Sequence, residues 1–253
     1  KFDGHSYRLV PIKTEEGVDG ELGMVNANEL YNIVKNYRWG NFKDLNTHFD
    51  ETCTQNIVSY RSSASRAAEA LVMQGDKKKA IEILDLANRE IPVSKYNDPR
   101  SLSSIVYAYI VAGQEQKGLK LAEELKKGIF AEYDYYTKLS PKFQVYASRQ
   151  MKTKPMEYSL IVGAVSDAYN KIGQKDKGYQ YLINSVNVID KRFNTYIKDL
   201  QEMGKEKAFK KAKKEKKVTS FYAYLFDIMK DYDTTYEAEK MDNITKQLMK
   251  VTQ

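Results

Sequence analysis

The chain has 253 residues with 42% apolar and 30% charged residues, which suits a folded protein with a sizeable core and excludes a disordered one. Its net charge of +7 is concentrated: Lys205–Lys217 holds eight lysines against Glu206 and Glu215, leaving the remainder at about +1. One cysteine and two histidines exclude an internal disulfide and argue against a structural zinc site. No window approaches the roughly 18–20 apolar residues of a membrane span.

The chain opens Lys-Phe-Asp-Gly-His, without an initiator methionine or a signal peptide, and reads as a piece of something longer. Tyr7–Ile12 is a short extended run, since Pro11 turns Val10 away from helix. Gly17, Gly20 and Gly23 space out a loop. Leu30, Ile33, Val34 and Tyr37 fall at helical spacing and predict a helix from about Asn26 to Tyr37, with Gly40 as its C-terminal cap. Thr52 and Gln55 have the form of a capping box that opens a long helix ending near Gln74.

Residues 61–92 organise the rest of the chain. They predict two helices folded back at Gly75-Asp76, with Ala64, Ala67 and Ala68 facing Ala80, Leu84 and Ala87, and Pro92 as the stop. The second helix, Lys77 to Glu90, has a basic start that opposes the helix dipole. This order of small residues, turn glycine, alanine and proline resembles the tetratricopeptide repeat, a unit of about 34 residues. Pro99–Ala112 and Gln116–Lys127 form a second pair about Gly113, and Met156–Lys171 and Asp176 onward a third about Gly173. A small residue stands five positions after each turn glycine (Ala80, Gly118, Gly178), although the turns are 38 and then 60 residues apart. Between the second and third pairs lies a tyrosine-rich helical stretch, Ala131–Met151, broken near Pro141. One long helix is predicted from Asp190 to Lys217. Two apolar stripes close the chain, at Phe221, Tyr222, Leu225, Phe226 and Met229, and at Met241, Ile244 and Leu248; they suit capping helices. The predicted fold is therefore all-α: an irregular, tetratricopeptide-like α-solenoid of helical hairpins. Residues 1–60 would pack as an N-terminal segment on a repeat domain spanning 61–253.

The N-terminal motifs carry a second resemblance. Tyr7-Arg8-Leu9-Val10-Pro11, Trp39-Gly40, Phe49-Asp50-Glu51 and Arg61, in that order, resemble the soluble C-terminal portion of a bacterial family of polytopic membrane proteins, catalogued as a domain of unknown function. The membrane part of that family is similar to the GT-C class of glycosyltransferases, including protein O-mannosyltransferases. The resemblance implies a periplasm-facing domain anchored at the inner membrane, with the catalytic acidic residues in the membrane part and none to be assigned here. It adds no cofactor.

Candidate sites are few. His48, Asp50 and Glu51 are the only close meeting of histidine and carboxylates, and a helix N-terminus accounts for both acids. On the stacked first helices of the three pairs, Ser62, Arg66, Glu69 and Met73, then Arg100, Ser103 and Tyr107, then Asp167, Asn170 and Lys171 would share one concave surface for a protein or peptide. The basic run (Lys210, Lys211, Lys213, Lys214, Lys216 and Lys217) reads as a solvated helix face or as a contact with an anionic membrane. With no arginine and one aromatic residue, Phe209, the run gives nucleic-acid binding little support. The expected function is non-catalytic: an interaction domain of a membrane-bound glycosyltransferase that positions acceptor protein or a partner. The alternative is a free-standing adaptor that binds peptides in the concave groove.

Overall fold

The computed structural model describes residues 1–4, 6–9, 11, 23–214 and 219–252, with backbone alone at 51, 141, 210–214 and 252. The fold is all-helical. Its helices are α1 Ala27–Lys35, α2 Glu51–Met73, α3 Lys77–Glu90, α4 Pro99–Val111, α5 Glu115–Lys138, α6 Pro141–Lys171, α7 Lys175–Glu202, α8 Lys205–Lys214, α9 Thr219–Met229 and α10 Tyr236–Thr252. Among the described residues the extended structure is limited to isolated bridges from Phe2 to Tyr7 and to Val25. Two compact units emerge, Lys1–Leu125 with Asp167–Ile172 and Lys126–Ser166 with Gly173–Gln253, so α5 and α6 each give a segment to both.

In the first unit α2 packs against α1, α3 and α4. Ala64, Ala67, Ala68, Ala80, Leu84 and Ala87 are all fully buried, as the small-residue pattern requires. Removing Leu71, Ile83 and Leu84 from water contributes about 1.5–3 kcal/mol each. Gly75 and Gly113 carry φ of +86° and +87°, and each turn closes with the same pair of backbone bonds. Gly75 N–H donates to the Val72 carbonyl and Asp76 N–H to Leu71; Gly113 and Gln114 repeat this onto Ile110 and Tyr109. Gly173 (φ +76°) and Gly204 (φ +78°) adopt the same left-handed conformation in the second unit. Gly118 permits close approach of α5 to α4: a Cβ there would lie 2.6 Å from Ile110 Cγ1 and 3.0 Å from the Val106 carbonyl.

The second unit is built around aromatic side chains. Phe130, Tyr158 and Phe221 meet with ring centres 4.9–5.7 Å apart, and Tyr222 stacks on Phe226 at 5.7 Å. The predicted stripe on α9 is buried throughout. On α10 Ile244 is buried, whereas Met241 is 42% exposed.

Several boundaries differ from expectation. Asp50, not Thr52, caps α2, its carboxylate accepting the Cys53 N–H at 2.7 Å. Asn26 caps α1 at its start and Asn36 at its end, after Lys35; Gly40 (φ +64°) sits in the following turn instead. The basic start of α3 is offset by Asp76, which accepts the Lys79 N–H and pairs with the Lys79 ammonium. Helix α5 runs through Gly128 to Lys138 and α6 starts at Pro141, so the tyrosine-rich stretch is divided between the end of α5 and the start of α6. Pro155 lies inside α6, where it has no amide hydrogen to give the helix. The long helix predicted to Lys217 instead ends at Glu202 with Met203 as its cap, because Gly204 turns left-handed and α8 begins anew. Ile12, Gly17, Gly20, Lys216 and Lys217 lie outside the described residues.

Candidate binding face

Arg66, expected in the groove, is only 5% exposed. Its guanidinium carbon lies 4.2 Å from the Phe2 ring centre, Nη2 donates to the Gly23 carbonyl at 3.1 Å, and Nη1 donates to the Tyr7 hydroxyl at 3.3 Å. One turn back, the Ser63 hydroxyl bonds to the Gly4 carbonyl. Helix α2 thus binds the chain's own N-terminal segment along this stripe. Gly23 is required there, since a Cβ would stand 2.9 Å from the Tyr7 ring.

Arg61, five residues earlier on α2, is fully buried and does a related task. It donates to Ser101 Oγ at 2.9 Å and to the Tyr96 carbonyl at 2.6 Å, tying α2 to the α3–α4 connection. Burial pushes its guanidinium down to about 10 against the opposing pull of Asp98.

Glu69 on α2 and Asp167 on α6 lie near enough to Tyr107 on α4 for their charges to act on its phenol. Burial first, then the charges of Glu69 and Asp167, push the Tyr107 phenol up to about 12. Glu69 and Tyr107 are half-buried, and Asp167 is exposed. Asn170 and Lys171 extend from the exposed end of α6. Arg100 is exposed and turned toward its own helix start, pairing with Asp98 at 3.1 Å.

Several other tyrosines join helices. Tyr109 donates to Asp85 at 2.8 Å, Tyr169 to Glu115 at 2.6 Å and Tyr222 to Asp190 at 2.6 Å. Burial, then each carboxylate, raises these three phenols far above their ordinary value.

His48 is exposed in the loop before α2. Hydrogen bonding to Cys53 N–H, chiefly, holds the Asp50 carboxyl below its ordinary value. Among the described residues no group of three His, Cys, Asp or Glu is placed to hold a metal. Lys210, Lys211, Lys213 and Lys214 belong to α8, but their side chains, like all of Lys216 and Lys217, lie outside the described residues. No helix among the described residues is long and apolar enough to cross a membrane.

A surface that the sequence motifs do not single out lies at the α5–α6 junction in the second unit. Tyr135, Tyr136, Phe143, Tyr146 and Gln150 border an open groove of about 470 Å³. Its signal is present in the sequence as a run without any acidic residue from Tyr135 to Met156. No protein-family model matches the chain, and neither a curated protein nor a solved structure does.

Proposed function

We propose that this chain is a tetratricopeptide-like interaction module without chemistry of its own, serving as the extracytoplasmic appendage of a membrane-bound glycosyltransferase. In this role it positions acceptor protein or a partner subunit. The observation that carries the binding role is the convergence of Glu69, Tyr107 and Asp167 from three helices. Two carboxylates beside a phenol favour a protein segment carrying lysine or arginine, through charge-assisted hydrogen bonds. The ordered N-terminal motifs support the glycosyltransferase association.

Titration of the chain with fluorescent lysine- and arginine-rich peptides tests the face. We expect binding that falls at least about tenfold in Glu69→Lys/Asp167→Lys, since exchanging two charges removes both attractions. Equal affinity in the variant removes the face from consideration. Glycosyl transfer by the isolated chain would overturn the non-catalytic reading. Cell fractionation with intact-mass measurement separates the settings: a soluble product near 29 kDa favours the free-standing adaptor over the appendage.

A further inference from the structure

The second unit carries an exposed surface of a different chemistry. From Tyr135 to Met156 the sequence contains no Asp or Glu, yet it holds Lys138, Lys142, Arg149, Lys152 and Lys154. The two acids just before this run are already engaged: Glu132 pairs with Lys154 at 2.5 Å, and Asp134 pairs with Arg192. Lys154 is buried between Glu132 and Glu157. Lys138, Lys142, Arg149 and Lys152 remain exposed, with no ion pair to any described residue.

Apolar side chains lie among these cations. Tyr135 is 62% exposed, Phe143 56%, Val145 70% and Tyr146 76%. Lys142, Val145, Arg149 and Lys152 follow one another at i, i+3, i+7 and i+10, hence along one stripe of α6, beside the stripe of Phe143, Tyr146 and Gln150. The helix junction is firmly closed beneath them. The Gln144 amide donates to the Thr137 and Leu139 carbonyls at 2.9 and 2.8 Å, tying the start of α6 to the end of α5.

We infer that this α5–α6 junction docks on an anionic lipid bilayer, with Tyr135, Phe143, Val145 and Tyr146 entering the headgroup boundary while the four cations meet lipid phosphates. Amphipathic rings with lysine and arginine around them match the layered chemistry of a membrane interface, apolar inward and anionic outward. Single-stranded nucleic acid would use the rings as stacking platforms. Val145, the most exposed of the aliphatic and aromatic side chains in the patch after Tyr146, has no part in stacking, and it favours lipid. An acidic peptide would use the cations but would leave this apolar surface in water. This surface is separate from the proposed peptide-binding face, which belongs to the first unit.

Cosedimentation with vesicles tests it, using phosphatidylcholine with or without about one-third phosphatidylglycerol. The full chain is expected to bind the anionic vesicles, to bind neutral ones far less, and to release in about 0.5 M salt. Each charge removed is expected to weaken binding about fivefold, so Lys142→Gln/Arg149→Gln loses about 25-fold. Val145→Asp should lose a comparable factor while leaving Lys142 and Arg149 in place. These side chains are exposed, and circular dichroism checks that each variant stays folded. Full vesicle binding in folded variants would overturn the inference, placing any contact elsewhere, such as the lysine run. Absence of binding to anionic vesicles, or binding of oligothymidine or a polyglutamate peptide in their stead, would also overturn it.

Discussion

The Arg66 guanidinium lies 4.2 Å from the centre of the Phe2 ring, across 64 residues of sequence. It is a helix residue by sequence and a core residue by packing. Its hydrogen bonds to Gly23 and Tyr7 place it between α2 and the N-terminal segment, where no second cation substitutes for a planar fork.

Replacing Arg66 with alanine is therefore expected to cost about 2–3 kcal/mol, combining a desolvated cation–π contact with charge-assisted hydrogen bonds. Arg66→Lys should recover less than half of that loss. Urea denaturation measures both. A change below about 0.5 kcal/mol in the alanine variant would show that the N-terminal segment is not held in this way.

Two glycines on α5 should respond in opposite senses. Gly118→Ala places a methyl 2.6 Å from Ile110 and is expected to destabilise by about 1–2 kcal/mol, overpacking outweighing the gain in helix propensity. At Gly128 nothing lies within 4 Å of the added Cβ, so Gly128→Ala should stabilise by about 0.5–1 kcal/mol. Thermal melts of the pair decide whether close approach is confined to the first position.

Alkaline pH should unfold the chain through its tyrosines. Tyr109, Tyr169 and Tyr222 have raised folded values because burial and then a carboxylate neighbour disfavour the phenolate. A raised value favours the neutral phenol in the native state. This stability is complete below the unfolded value of about 10 and is lost as pH climbs beyond it. Absorbance at the phenolate band should show a late, steep step coincident with loss of helical dichroism. A single smooth titration near pH 10 with the fold intact would contradict the buried links.

The helical pairs were legible because they rest on local signals. Gly75 and Gly113 need a left-handed backbone, and the small residues five positions later are needed for close packing; both are short-range demands. The α7–α8 break was equally local, carried by Gly204, but the lysine-rich composition around it favoured an unbroken helix. Arg66 was misplaced for the opposite reason. An arginine on a helix is expected in water unless something covers it, and its cover comes from Phe2, Tyr7 and Gly23, far away in sequence. Glu69, Tyr107 and Asp167 were singled out together because each lies on the first helix of a pair, at alternate helices α2, α4 and α6. The exposed junction at Tyr135–Lys152 was hidden by its tyrosines, which periodicity alone does not separate from core residues.

The attachment of the N-terminal segment to α2 also bears on the order in which the first unit assembles. Turns at Gly75 and Gly113 join neighbours in sequence, so those helices meet after closing only short loops. Ser63 meets Gly4, and Arg66 meets Tyr7, across 59 residues, and such closure becomes favourable only once α2 already presents a formed surface. The segment should therefore dock last on refolding and detach first on unfolding. Pulse-labelled hydrogen exchange would show it as late protection at Phe2 and Arg8, whose amides bond to Met24 and Lys1, after α2 and α3 are already protected. Simultaneous protection would mean that α2 does not stand without its cover.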